Sequence, residues 1–332
     1  MENNCQKITL ALSEIAGLAR EIVDIENPRN LKSNLENCNK IKSKIEKVIL
    51  EFSEVIKENI LCAVFPINSV TVRGNRVFVL SDRSEIHWDI DTVELSDFMD
   101  LPETKGTHRV LCGNRMFSFN SGRGCIVVNL DGEDGEVADS FTFNDMVDGP
   151  KYEVVQPDPA KDNFIISDGP SLYTWDAGRD DWPTRIPGIY NPTLLAATPN
   201  NYFYAKDSYL VSSREMISLP QRITSVFAVD DKTVYTGLEN GQLFLAQFND
   251  FGATMRDITP EGLDLDKITL LAHQDGKFLI SNEKEVYFWD GKGKSHLIDN
   301  LPHSSLAFLP DGSFVVGYDS SYLRRFKTRW RK

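Results

Sequence analysis

The chain has 332 residues, of which 41% are apolar and 26% are charged, and its formal net charge is -13. This apolar fraction supports a packed core and excludes a wholly disordered chain. No apolar run reaches the roughly 18 residues that would span a bilayer, and the polar start MENNCQK lacks the apolar stretch of a signal peptide. The composition therefore predicts a folded, soluble protein without a membrane partner.

The charge is distributed unevenly along the chain. Residues 1–61 are nearly neutral, whereas the last nine residues hold six basic and no acidic side chains. The range 62–323 therefore carries 21 basic and 39 acidic residues, a local charge of -18. Such a body disfavours nonspecific binding of nucleic acid. Any nucleic-acid contact would be restricted to the basic C-terminal strand.

Five cysteines form no CxxC pair. The chain also contains no Asn-x-Ser/Thr glycosylation site in which x is other than proline. Both features favour a reducing compartment. We therefore expect an intracellular protein, located in the cytoplasm, the nucleus or both.

Residues 1–60 show the apolar spacing of two amphipathic helices, with a break at Asn27-Pro28. This segment is predicted to form an α-helical hairpin or coiled coil that acts as a docking segment. Apolar residues recur every three or four positions along both helices. The candidate partner-binding seam consists of Ile15, Leu18, Ile22, Ile45, Val48, Phe52 and Val55.

Two interpretations of this seam remain open. The helices could pack on each other and on the rest of the chain, or they could bind a helical partner or a second copy of the chain. A hairpin of two helices buries little apolar surface by itself. The second helix also has apolar residues outside its seam, such as Ile49, Leu50 and Ile56. This surplus favours a partner protein.

From about residue 61 onward, short apolar strands alternate with turn residues. A repeated unit contains a strand, a turn with Ser and Asp or Asn, and a strand that closes on an aromatic residue. Its clearest copies are 76–91, 163–178 and 277–292, which contain Trp88-Asp89, Trp175-Asp176 and Trp289-Asp290. Weaker copies occupy 116–132, 202–213, 234–248 and 314–327. The spacing therefore predicts seven repeats with a period of about 40 residues.

A period near 40 with a Trp-Asp ending resembles the WD40 family of β-propellers. The resemblance implies a mainly β fold, with a seven-bladed propeller over 61–332 preceded by the helical hairpin. The chain departs from the family because it has no Gly-His dipeptide. The resemblance covers most of the chain but identifies no particular member of the family.

The last repeat ends after its third strand, at Tyr322 to about Arg329. The segment 61–65 precedes the first strand of the first repeat and belongs to no other unit. We therefore predict that 61–65 supplies the missing outer strand of the last blade. Closure in this way removes an open sheet edge.

Catalytic and metal-binding signals are weak in this sequence. Its five histidines lie on different repeats or loops, and only His273 lies near the end of a predicted innermost strand, 268–273. No second ligand accompanies it, so we expect no metal, no cofactor and no catalytic residues.

The sequence favours a non-enzymatic scaffold or adaptor subunit of an intracellular multiprotein complex. Partners would bind to the propeller faces and to the N-terminal helices. The alternative is a propeller enzyme with a metal or substrate in its central channel. That alternative requires polar residues on innermost strands, which here are mainly apolar, as in 70–72 and 194–197.

Overall fold

The structure is a computed structural model of the chain. It describes residues 55–62, 67–73, 76–81, 84–89, 95–100, 108–112, 115–120, 124–129, 137–142, 153–158, 161–179, 182–213, 215–318 and 322–328. Chain contacts divide the protein into two compact units, one of 59–325 and one of 1–58 with 326–332. The predicted helices over 1–54 lie outside the described residues, so the hairpin in that range stays a prediction.

The described part of the first half of the chain contains three four-stranded antiparallel sheets. The first is β2 (Ile67–Arg73), β3 (Arg76–Ser81), β4 (Ser84–Asp89) and β5 (Leu95–Asp100). The second is β6 (His108–Cys112), β7 (Arg115–Asn120), β8 (Gly124–Asn129) and β9 (Val137–Thr142). The third is β10 (Glu153–Val155), β11 (Asn163–Ser167), β12 (Leu172–Asp176) and β13 (Thr184–Arg185). A short 3-10 turn, Ala177–Arg179, follows β12.

Three further sheets of the same kind follow along the chain. The fourth is β14 (Leu194–Thr198), β15 (Asn201–Lys206), β16 (Tyr209–Ser212) and β17 (Met216–Ser218). The fifth is β18 (Ile223–Asp230), β19 (Thr233–Leu238), β20 (Leu243–Asn249) and β21 (Gly252–Asp257). The sixth is β22 (Leu270–Gln274), β23 (Lys277–Ser281), β24 (Val286–Trp289) and β25 (His296–Asp299).

One sheet combines strands from both ends of the described chain. Its strands are β26 (His303–Phe308), β27 (Phe314–Tyr318), β28 (Tyr322–Thr328) and β1 (Val55–Cys62), in the order β1-β28-β27-β26. A strand from the early part of the chain thus completes the last sheet, as predicted. The strand is Val55–Cys62, and the predicted 61–65 overlaps it only at its end. The prediction that the second helix continues to residue 60 is wrong, because 55–60 form a strand.

The first strands of successive sheets lie side by side. β2 contacts β26, β26 contacts β22, and the series continues through β18, β14 and β10 to β6. This arrangement of four-stranded sheets is a β-propeller, and the predicted mainly β propeller architecture is confirmed. The tryptophans of the three clearest repeats, Trp88, Trp175 and Trp289, lie in the third strands of their sheets, β4, β12 and β24.

The Trp-Asp repeat explains the packing between two of the sheets. Trp175 is 2% exposed and pairs across the strands with Phe164, at a ring distance of 5.6 Å. Its ring also lies 6.1 Å from that of Phe117 and 5.0 Å from that of Phe141, both in the β6–β9 sheet. One tryptophan therefore fills the space between neighbouring sheets, and large aromatic side chains contribute most to such cores.

A second repeated feature connects neighbouring sheets through a hydroxyl group on an innermost strand. The Thr224 hydroxyl donates to the carbonyl of Ile268, at 2.6 Å, and to that of Gly237, at 3.2 Å. The Ser304 hydroxyl donates in the same way to the carbonyl of Ile67 and, at 3.5 Å, to that of Gly317. The Ser304 contact joins β26 to the start of β2, 237 residues earlier in the chain.

Candidate functional site

The predicted partner-binding seam falls almost entirely outside the described residues. Ile15, Leu18, Ile22, Ile45, Val48 and Phe52 lie there, so their role stays a prediction. Val55 is the first residue of β1. Its assignment to a helical seam is therefore wrong, because it belongs to the strand that completes the last sheet.

His273, the candidate suggested by the innermost strands, lies in an aromatic cluster. Its ring is 5.0 Å from that of Tyr235 and 4.7 Å from that of Phe278. Its Nε2 accepts a hydrogen bond from the Gly276 backbone N–H at 3.2 Å. Burial lowers the pKa of His273 below its ordinary value of 6.5, and this burial outweighs the opposing charge of Asp275. A neutral ring that packs and accepts a hydrogen bond suits a structural role.

Of the remaining histidines, His296 lies in the same sheet as His273, and the other three lie in three different sheets. His303 is buried, and its ring nitrogens contact the Ser281 hydroxyl and, at 2.8 Å, the Leu301 carbonyl. His296 begins β25 and is exposed, whereas His87 lies in β4 and His108 in β6. Within the part of the chain that the structure describes, no three His, Cys, Asp or Glu side chains are grouped so as to hold a metal ion.

The described surface instead contains a groove that sequence reasoning did not identify. It lies at the end where the first strand of a sheet turns into the second, over the β10–β13, β14–β17 and β18–β21 sheets. Three adjoining depressions, of about 770, 500 and 470 Å³, share lining residues and form one feature, here called the turn groove. The shared lining residues are Thr198, Pro199, Asn200, Asn201, Ser213, Asp231, Lys232, Phe248 and Asn249.

Hydrogen bonds between the β14–β15 turn and the β18–β19 turn hold the side chains of this groove in place. The Asp231 carboxylate accepts from the Thr198 hydroxyl and, at 2.8 Å, from the Asn200 side-chain amide. The Asn201 amide donates to the Asp231 backbone carbonyl at 2.8 Å, and the Asn201 Oδ1 accepts from the Ser213 hydroxyl at 2.7 Å. Side chains from neighbouring sheets therefore fix each other in the middle of the groove.

The charge of the groove is mainly negative. Asp230 and Asp231 lie at its centre, Asp250 and Glu215 lie at its side, and Lys232 is the basic residue among them. Hydrogen bonds from Thr198 and Asn200 lower the pKa of Asp231 below its ordinary value of 3.8. Because these bonds favour the ionised form, this carboxylate stays charged at neutral pH.

Exposed apolar side chains occur next to the acidic ones. Trp182, which lines the depression beside β12, is 61% exposed, and Phe251, which follows Asp250 in the β20–β21 turn, is fully exposed. Val229, another lining residue, is 40% exposed. Large exposed side chains beside a groove are typical of binding surfaces. The arrangement can hold a ligand that combines positive charge with apolar groups.

The sequence contained a partial signal for this site. Asn200-Asn201 and Asp230-Asp231 both occupy turns that recur in phase with the repeats. Their periodicity indicates turns, but it does not indicate that two turns about 30 residues apart share hydrogen bonds. Only the packing of neighbouring sheets brings them together.

Comparison with solved structures supports the fold, whereas comparison with family models and curated proteins finds no match. No family model matches the chain, and no curated protein matches it. Among solved structures, the chain is similar to a computationally designed protein named Ika8, with a TM-score of 0.56 and 15% identity over 80% of this chain and 96% of the designed one. At this identity the likeness supports the propeller fold alone. In the described part of the chain, no helix has the length and apolar character needed to cross a membrane.

Proposed function

We propose that this chain is a WD40-like propeller of seven blades that acts as a non-enzymatic scaffold or adaptor subunit. The turn groove is the observation that carries the proposal, because it combines a fixed polar centre with the exposed lining residue Trp182 and with exposed Phe251, which follows the lining residue Asp250. Such a surface suits another protein, since aromatic residues are enriched at protein interfaces. The sheet that combines β1 with β26–β28 supports the blade count.

The rigid body of the propeller gives this proposal its mechanism. Hydroxyl bridges such as those of Thr224 and Ser304 tie neighbouring sheets together. A surface on this body changes little on binding, so less free energy is lost in ordering it. The residues before β1 provide the second docking element. Their predicted seam, with Leu18 and Ile22, binds a helical partner or a second copy of the chain.

The test is affinity purification of the tagged full chain from its native cell. We expect stoichiometric partner proteins, and we expect Leu18→Ser with Ile22→Ser to release at least one of them. Lys42→Ser, outside the seam, is the control and should retain all of them. If the chain purifies as a monomer without partners and elemental analysis finds a bound metal, the channel-enzyme alternative replaces this proposal.

A further inference from the structure

We infer that the turn groove binds an extended peptide segment of a partner protein, in which a Lys or Arg lies beside an apolar residue. This inference rests on the proposed interaction function and names the place and the chemistry of one contact. The first argument is charge, because Asp230, Asp231 and Asp250 outnumber Lys232 in the groove. Complementary charge guides a partner to a surface and rejects partners of the wrong sign.

The charged groups in the groove differ in how firmly they are held. Asp231 is held by Thr198 and Asn200, so it contributes a fixed negative charge at the centre. The Lys232 Nζ lies 4.0 Å from Asp250, and both side chains are more than half exposed. An exposed pair of this kind contributes little stability. An incoming cation can therefore take the place of Lys232 beside Asp250 at small cost.

The second argument concerns the polar lining, which suits a peptide backbone. Asn200, Asn249 and Ser213 lie along the adjoining depressions. The Asn200 amide and the Ser213 hydroxyl already donate to Asp231 and Asn201, but their oxygens and the second amide hydrogen of Asn200 can still pair with the N–H and C=O groups of an extended peptide. The three depressions, of about 770, 500 and 470 Å³, offer room for several residues in a row.

The third argument concerns the apolar residues around the groove. Phe251 is fully exposed and next to Asp250, and Trp182 is 61% exposed in the depression beside β12. A ligand with only positive charge would leave the Phe251 ring in water. A segment with a leucine or an aromatic residue next to the cation that binds Asp250 covers this ring, and burial of such rings provides most of the energy in many interfaces. The cation and the apolar residue are therefore required together.

The test selects short random peptides displayed on phage against the immobilised full chain, and measures the affinity of the enriched peptides in solution. We expect enriched sequences to contain Lys or Arg next to an apolar residue. Asp250→Lys should weaken them about tenfold, and Asp230→Asn should weaken them less, because one change reverses a charge and the other removes one. Higher salt should also weaken binding.

Matched controls lie on the same two sheets, in the turns at their opposite end. Glu239→Lys and Asp207→Asn make the same charge changes at exposed positions between β19 and β20 and between β15 and β16. We expect both to leave peptide affinity unchanged. Equal weakening by all four variants would attribute binding to the general acidity of the chain and overturn the inference.

Two other results would also overturn the inference, namely enriched peptides without basic residues and the enrichment of no peptide. The wider interaction function is tested separately by the partners that copurify from the native cell. If Asp250→Lys retains every partner there and peptide binding fails, the groove assignment is wrong while the scaffold function stands. If no partner copurifies with the unaltered chain, the scaffold function itself is wrong.

Discussion

Gly317 provides a direct test of how the propeller closes, because it lies in β27 where the last sheet meets the first. A Cβ at this position would overlap the Ser305 hydroxyl and would lie 2.9 Å from the Cγ2 of Ile67 and 3.1 Å from the Cγ2 of Val70. Ile67 and Val70 belong to β2, whereas Ser305 belongs to β26. Gly317→Ala therefore places a methyl group into the close contact between the last sheet and the first.

The expected cost follows from overpacking. Ile67 is 1% exposed and Ser305 is 8% exposed, so neither can move into solvent. Adding a methyl group to such a site typically costs about 1–3 kcal/mol. We expect Gly317→Ala to lower the free energy of unfolding by this amount, measured by urea denaturation.

A second substitution identifies the cause of this loss. The Ser305 hydroxyl is buried without a hydrogen-bond partner, so Ser305→Ala alone should be neutral or slightly stabilising. In the double variant it removes the closest contact of the new methyl group and should restore at least half of the lost stability. Gly178→Ala is the control, because a Cβ there meets nothing closer than 3.4 Å. A stable Gly317→Ala variant, or no restoration by Ser305→Ala, would refute the proposed junction.

Three further predictions concern packing and protonation. Trp175→Ala should lower the free energy of unfolding by about 3–5 kcal/mol, because it leaves a cavity between two sheets, and a loss below about 1 kcal/mol in denaturant titrations would contradict this. His273 should titrate below 6.5 by NMR. The free energy of unfolding should therefore fall as the pH drops below about 6.5, because the unfolded chain takes up the proton at a higher pH than the folded chain, and His273→Gln should abolish this fall. Asp231 should titrate below 3.8, so its contribution to stability is present above pH 3.8 and is lost as the pH falls through the folded-state pKa. Thr198→Val should raise the pKa of Asp231 in carbon NMR titrations, and an unchanged pKa would argue against the hydrogen bond.

The repeats could be predicted because each sheet repeats the same local chemistry. Trp175 and Trp289 lie at or next to the ends of third strands and pair with Phe164 and Phe278 on second strands. In-phase turns separate the strands. Such signals are local, since a hairpin needs only its own two strands and the turn between them.

The strand Val55–Cys62 could not be predicted in the same way. Its residues 55–60 continue the apolar spacing of the preceding segment, and this spacing predicts a helix. What makes them a strand is β28, which lies beside β1 in the sheet although it is more than 250 residues later in the chain. The local spacing of apolar residues does not indicate a strand partner so distant in the chain, and β propensity depends strongly on the neighbouring strands.

The same distinction holds for the turn groove. Asn200 and Asp231 were recognisable as turn residues, because Asn and Asp favour tight turns. The hydrogen bond between them forms only because two sheets pack side by side. The same packing creates the acidic surface around this bond, with apolar residues at its edge.

By itself, the sequence determined the repeat length, the strand–turn alternation and the acidic body, because these depend on residues close together in the chain. Only the tertiary structure decided which strand completes the last sheet and which turns meet, as with β1 and Asp231. The physical reason is that backbone and side-chain hydrogen bonds must be satisfied by whatever group lies nearest in space, and that group belongs to a distant part of the chain.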